Sequence, residues 1–385
     1  METPVIDVKL KIMKKIITYI SIISLAVSLF SADFKATKEN VKLLGRTFYD
    51  GETLWSCFSA TGVAFNTDSS KVEITLCGDN KANGQPVEGN TSVCRVAVFV
   101  DGERNHNILM QNREEKITVY ENKSGSHEIR IVKLSESLNS VFGIKNISVD
   151  DGKKISPVEE KKLKIEFVGD SITCGYGVDD ENRNHHFSTQ TEDATKTYAF
   201  KTASNLNADY SMVSCSGWGI ISGYSGDGLI KDKQIMKMAY DKTGFTYTGF
   251  GKKSYMGQRL PWDFSTWQPD IVVINLGTND SSYTKKDPAK CKAYEAGYVE
   301  FLKIIREKNP EALIVCTLGL MGADLFPNIQ NAVNTYSSET GDEKITCVKL
   351  PQTSAYAADW HPAEKGHSRG ADVLTNALQK LITKE

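Results

Sequence analysis

The sequence predicts two domains, a β-sandwich or jelly roll followed by an α/β domain with a parallel sheet flanked by helices. Three observations predict it. Apolar residues alternate with period two as far as about Val149, and beyond Lys162 short apolar strands alternate with helical spacings. Between them "DDGKKISPVEEKK", Asp150 to Lys162, is polar and holds Gly and Pro, the composition of a linker.

The chain has 385 residues and a formal net charge of −2, which argues against a strongly basic nucleic-acid binder. Its start does not read as part of a fold. "MKKIITYISIISLAVSLFSADF", Met13 to Phe34, has a basic beginning, an apolar run to Phe30 and then the small residues Ser31 and Ala32. That is the layout of a secretory signal peptide, with an apolar run shorter than the roughly 20 residues that span a bilayer. The expected division is therefore a signal peptide over 1–32, a sandwich over 33–150, a linker over 151–162 and an α/β domain over 163–385. Such a chain is secreted, extracellular or periplasmic, with no membrane association after signal cleavage.

In the first domain "KVEITL" alternates Val72, Ile74 and Leu76, "RVAVFVDGE" runs into an Asp-Gly turn, and "SGSHEIRIVKL" follows a Gly-containing turn. In the second, "LKIEFVGDS", "YSMVSCSG", "PDIVVINLGTND" and "ALIVCTLG" read as strands. "ATKTYAFKTASNLNA", "AYEAGYVEFLKIIREKN" and "GHSRGADVLTNALQKLI" read as helices. This alternation gives parallel strands with helical crossovers, and ligands gather at the carboxyl ends of such strands. Residues 223–268 form a long, irregular, aromatic-containing insertion with no assignable fold. Eight cysteines show no C-x-x-C spacing, so a zinc ribbon is unsupported, and runs such as "LIVCTL" suit a small buried hydrophobe. Disulfides are permitted in a secreted chain, but their pairing is not readable from sequence.

The strand ends carry the chemistry. Ser171 follows a buried strand between Gly169 and Gly175, where a sharp turn can lift its hydroxyl clear of the sheet. Gly217 after the second strand lets a bound oxygen approach the backbone amide, and Asn279 after the third offers side-chain N–H donors. His361 in "AADWHPAEKGH" is a base candidate with Asp359 two residues before it. Each alone is more readily a turn former, a cap or a surface residue. In order at consecutive strand ends they supply what acyl transfer needs: a nucleophile, a base, and donors aimed at a developing oxyanion. The hole would combine the Ser171 and Gly217 amides with Asn279.

These blocks resemble the SGNH (GDSL-type) hydrolases, whose nucleophile is not set in Gly-x-Ser-x-Gly. With "GRTFYDGETLWSCFSATGVAF" and "RVAVFVDGE" in the first domain and "FVGDSITCGYG", "WDFSTWQPDIVVINLGTND" and "DWHPAEKGH" in the second, the chain resembles carbohydrate esterase family 2 over nearly its whole mature length. That resemblance implies a jelly roll joined to an SGNH hydrolase domain. It also implies a secreted serine acetylesterase acting on acetylated polysaccharides such as xylan and glucomannan through an acetyl-serine, with no metal or organic cofactor.

SGNH enzymes usually carry Asp three residues before the His, where this chain has Ala358. Asp359 and His361 could pair only through an unusual local bend, so Asp359 is an uncertain orienting acid. The resemblance offers a Ser–His dyad instead, with a backbone carbonyl or other polar group accepting the Nδ1 hydrogen. Trp360 and Trp218 flank the site and are candidate substrate-lining residues, with core packing the equal reading for Trp218. His185 and His186 suit a solvated loop better than a metal site. The rival functions are an SGNH lipase, esterase or thioesterase of other acyl specificity, and a non-catalytic carbohydrate-binding protein. The second would have been expected to lose Ser171, Asn279 or His361, all of which are present.

Overall fold

The structure is a computed structural model that describes residues 31–85 and 92–383. The expected signal peptide lies outside the described residues except for Ser31 and Ala32. Those two open strand β1 (Ser31–Phe34), which pairs with β11.

Among the described residues, twelve strands build the first domain. They are β1, β2 (Lys42–Leu44), β3 (Thr47–Tyr49), β4 (Leu54–Ser56), β5 (Gly62–Thr67) and β6 (Val72–Gly78), then β7 (Arg95–Val100), β8 (Glu103–Leu109), β9 (Glu114–Tyr120), β10 (His127–Lys133), β11 (Phe142–Asp150) and β12 (Ile155–Pro157). They form two antiparallel sheets, ordered β3-β4-β11-β6-β9 with β1 on β11, and β12-β5-β10-β7-β8 with β2 on β5. The alternation explains the stacking. Val72, Ile74 and Leu76 of one sheet and Val96, Val98, Ile129 and Ile131 of the other share one core, while alternate residues face outward. Residues 155–157 lie inside the expected linker, yet they pair with β5 as β12.

The second domain holds five parallel strands: β13 (Leu163–Gly169), β14 (Ala208–Ser214), β15 (Ile271–Asn275), β16 (Leu313–Leu320) and β17 (Ile345–Gln352). Its helices are α1 (Ser171–Cys174), α2 (Tyr198–Asn205), α3 (Thr278–Thr284), α4 (Pro288–Lys308), α5 (Phe326–Thr340) and α6 (Glu364–Ile382). The sheet order is β14-β13-β15-β16-β17, so the winding direction reverses between β13 and β15. In doubly wound sheets that reversal opens a crevice at the carboxyl ends of the two strands. The central strand β15 is buried along its whole length, as a sheet covered on both faces requires. One face packs on α4 and α5 through Tyr294, Phe301 and Ile329, the other on α2 and α6 through Tyr198, Ala199 and Leu374.

The insertion at 223–268 takes up short 3-10 turns and isolated bridges rather than regular elements. It folds because its aromatics have somewhere to go. Phe250 is fully buried against Trp55 of the sandwich, with ring centroids 5.2 Å apart, and the Asn80 amide donates to Gly249 O at 2.9 Å. Buried charge also joins the domains: Arg46 reaches Glu166 of β13 at 3.0 Å, and Arg95 reaches Asp179 at 2.7 Å. All eight cysteines are free thiols, six of them buried.

Candidate active site

Parallel register sets the frame. Gly169 at the end of β13 lies opposite Ser214 of β14 on one side and Asn275 of β15 on the other. Ser171, Gly217 and Asn279 follow those three residues by two to four positions each, so all three leave the sheet from one row.

The turn at Ser171 is a capped helix start. Asp170 is the N-cap and accepts from the Ile172 amide at 3.0 Å, while Gly175 closes the single turn of α1 in a left-handed conformation. Glycine is required at both ends. A Cβ on Gly169 would lie 2.0 Å from Thr173 Oγ1, and one on Gly175 would lie 2.4 Å from Asp193 O. Ser171 is 6% exposed, and its Oγ lies 2.9 Å from His361 Nε2.

His361 arrives by a different route. After β17 the chain makes a 3-10 turn over Ala358–Trp360, and inside it Asp359 (φ 49°) and Trp360 (φ 61°) are both left-handed. Non-glycine residues in that region cost about 1–3 kcal/mol each and persist only where surroundings impose them. Here the Asp359 amide donates to His185 O at 2.9 Å and the Trp360 amide to Arg183 O at 3.2 Å. The Asp359 carboxylate accepts from the Tyr176 hydroxyl at 2.9 Å and the Phe187 amide at 2.8 Å, and meets His186 Nδ1 at 3.0 Å. It therefore points away from His361.

The bend brings the Asp359 carbonyl to 3.2 Å from His361 Nδ1. A carbonyl can only accept, so Nδ1 carries the hydrogen and Nε2 is left to accept from Ser171. The imidazole stacks on Tyr176, which stacks in turn on Phe187, with centroids 4.0 Å and 4.1 Å apart. Desolvation pulls the His361 pKa down to about 4, against smaller raising effects from the Asp359 carbonyl and charge. Ala358, where an acid was expected from the family pattern, is 0% exposed, and a Cβ on Gly177 would sit 2.6 Å from its side chain.

Gly217 is left-handed (φ 77°), nothing lies within 4 Å of where its Cβ would be, and its carbonyl accepts from Tyr224 N at 2.7 Å. Asn279 is buried and both its amide hydrogens are engaged, on Trp218 O at 2.8 Å and Asp170 Oδ2 at 3.3 Å. Trp218 is 1% exposed and packs edge-on against Phe245, so core packing is the role its placement gives it rather than substrate lining. Trp360 is 49% exposed, with the Arg183 guanidinium 4.1 Å from its ring centre. His185 and His186 each face a carboxylate, Asp180 and Asp359, in an exposed loop.

Two acids found no role from sequence. Asp280, next to Asn279, accepts from the amides of Ile220, Ile221 and Ser222 at 2.8–3.1 Å and so anchors the turn after Trp218. Burial raises its carboxyl to about 6, and burial raises that of Asp170 to about 7 with a smaller push from Asp280. Both sit inside quoted motifs, "GDS" and "GTND", and acids next to motif residues were the available signal.

A doubly wound sheet with a serine–histidine pair at its switch point, behind an antiparallel sandwich, is the frame of a carboxylic ester hydrolase. The GDSL-like Lipase/Acylhydrolase family matches residues 167–369, and the chain belongs to that family. Residues 43–158 match the Carbohydrate esterase 2 N-terminal family. The chain is 33% identical over 267 residues to a cellulase/esterase from Acetivibrio thermocellus, covering 67% of this chain but only 30% of that protein. It is 24% identical over 355 residues, 90% of each chain, to an acetylxylan esterase / glucomannan deacetylase from Cellvibrio japonicus. The fold is shared with an acetyl xylan esterase from the rumen bacterium Butyrivibrio proteoclasticus, at a TM-score of 0.81 and 24% identity over 92% of this chain and 99% of that one.

Proposed function

We propose that the protein is a secreted serine esterase that removes O-acetyl groups from plant cell-wall polysaccharides, xylan and glucomannan among them. The observation that carries this is the 2.9 Å contact between Ser171 Oγ and His361 Nε2, with Nδ1 held on the Asp359 carbonyl. The substrate class is supported by the names of the acetylxylan esterase and glucomannan deacetylase relatives.

In this reading His361 takes the Ser171 proton as Oγ attacks the acetyl carbonyl. The tetrahedral oxyanion accepts from the Ser171 and Gly217 amides and from Asn279, whose longer contact with Asp170 gives way to it. Collapse releases the sugar hydroxyl, protonated by His361. Water activated by the same ring then frees acetate and restores Ser171. No acid is needed beside His361, because the carbonyl of Asp359 fixes the tautomer. Trp360, exposed beside the base, offers a face on which a sugar ring can stack.

Acetate release from acetylated xylan and glucomannan by wild type and by Ser171→Ala tests the proposal. Release by wild type alone supports it. No release from either polysaccharide, with activity kept on simple acetyl esters, would overturn the substrate and leave the esterase.

A further inference from the structure

The loop between β10 and β11 leaves the sandwich and enters the α/β domain. Leu138 packs in the core that holds Val213, Cys215 and Trp218, and Ser137 Oγ donates to Phe245 O at 3.1 Å. The Leu134 carbonyl accepts from the Ala194 amide at 3.0 Å. In the middle of this loop sits Glu136, 2% exposed.

One oxygen of that carboxylate touches both turns of the candidate site. Glu136 Oε2 accepts from the Ser216 amide at 2.8 Å and from the Cys174 thiol at 3.8 Å. Ser216 directly precedes Gly217, and Cys174 is the last residue of the helix that Ser171 begins. The remaining polar atoms of Glu136 are committed as well. Oε1 accepts from Asn139 at 3.1 Å, the amide donates to Glu192 Oε2 at 3.0 Å, and the carbonyl accepts from Lys133 Nζ at 2.9 Å. A carboxylate buried this deeply, with a second one beside it, is costly wherever an apolar side chain of the same volume could fill the space. Packing the domain interface does not require one.

We propose that Glu136, supplied by the N-terminal sandwich, is a positioning residue for the oxyanion hole: it holds the Ser216–Gly217 peptide and the α1 turn in the arrangement that lets the Gly217 and Ser171 amides converge. The inference rests on the acyl-serine reading above and deepens it. It makes the sandwich part of the catalytic unit, since neither domain alone contains the complete support of the hole.

Full-length Glu136→Gln and Glu136→Met, assayed on p-nitrophenyl acetate beside wild type and Ser171→Ala, test it. Glutamine keeps an acceptor for the Ser216 amide, so E136Q stays within about threefold of wild type. Methionine fills the volume without such an acceptor, so E136M loses about 10- to 100-fold in kcat while KM moves less than about twofold, because hole donors act on the transition state. An unchanged kcat in folded E136M overturns the proposal. So does a loss in which E136Q fails equally and KM rises with it, the pattern of a purely structural role. If circular dichroism shows E136M unfolded, Glu136→Asp, which withdraws the carboxylate by about 1.5 Å, is read by the same criteria. Wild type inert on the ester, or Ser171→Ala as active as wild type, would sink the acyl-serine reading and this inference with it. An inactive Ser171→Ala beside an unaffected E136M would sink only the role of Glu136.

Discussion

The turns that present Ser171 and His361 meet at one 2.9 Å contact, yet they are built by opposite means. The Ser171 turn is local and relaxed: an Asp cap, one helical turn and a glycine, all within seven residues from Gly169 to Gly175. The His361 turn is strained and non-local. Its two left-handed residues are held by Arg183, His185 and Phe187 from a loop far away in the chain, and by Tyr176 beneath the ring. The difference teaches where each side chain gets its precision. Ser171 takes most of it from backbone geometry that a short motif can encode, with Glu136 bracing only the far end of that turn at Cys174, while His361 takes it from tertiary contacts. The left-handed bend at Asp359 turns its carbonyl to within 3.2 Å of His361 Nδ1, and in the proposed mechanism that contact fixes the tautomer.

The largest expected effect lies on the relaxed side. Ser171→Ala should lower kcat/KM by about 10⁴-fold or more on acetyl esters, and residual activity above a hundredth of wild type would show that another group attacks. Next comes Asn279→Ala, expected to cost about 10²–10³-fold in kcat with KM little changed. A rise in KM alone would instead make Asn279 a ground-state binding residue. The strained side should be more forgiving of losing its acid. Asp359→Ala removes the contacts to Tyr176, His186 and Phe187 but leaves the 359 carbonyl, so steady-state rates should fall by less than about tenfold. A fall near the ~10⁴-fold known for an orienting Asp would mean that the carboxylate serves His361 after all.

The smallest effect is a shift of pH dependence. A pKa of about 4 keeps the His361 ring neutral and able to accept a proton well below the ordinary 6.5, and activity is lost as pH falls through that lower value. The acid limb of kcat/KM should therefore have its midpoint near pH 4. A midpoint between 6 and 7 would show a solvated ring and break the contrast between the two turns.

The same contrast governs what could be read from the sequence. Strand and helix periods were legible because burial acts residue by residue along each element, so Val72, Ile74 and Leu76 or the apolar run of β15 announce themselves. Ser171, Gly217 and Asn279 were legible as positions because each closely follows a strand end, whereas His361 lies nine residues beyond β17 (Ile345–Gln352), a strand with no clear apolar run, and was legible only from its own motif. What Asp359 does was not, since its carboxylate and its carbonyl face different partners and only the φ of 49° decides which meets the imidazole. Tyr176 and Glu136 escaped for a related reason. Their contacts span 183 and 80 residues, and nothing in "CGYG" or "KLSESLNS" marks them. The insertion at 223–268 was opaque because its order comes from aromatics docking on both the sandwich and the α/β core, with no period of its own.

Ala358 carries a consequence for redesign. The position that bears the acid in the usual SGNH pattern is here fully buried, with its Cβ 2.6 Å from where a Cβ on Gly177 would stand. A single Ala358→Asp change would drive a charge into that packed space before any gain in catalysis could follow. Because residue 177 is already glycine, no smaller side chain there can make room, so installing an acid by this one substitution is expected to cost stability.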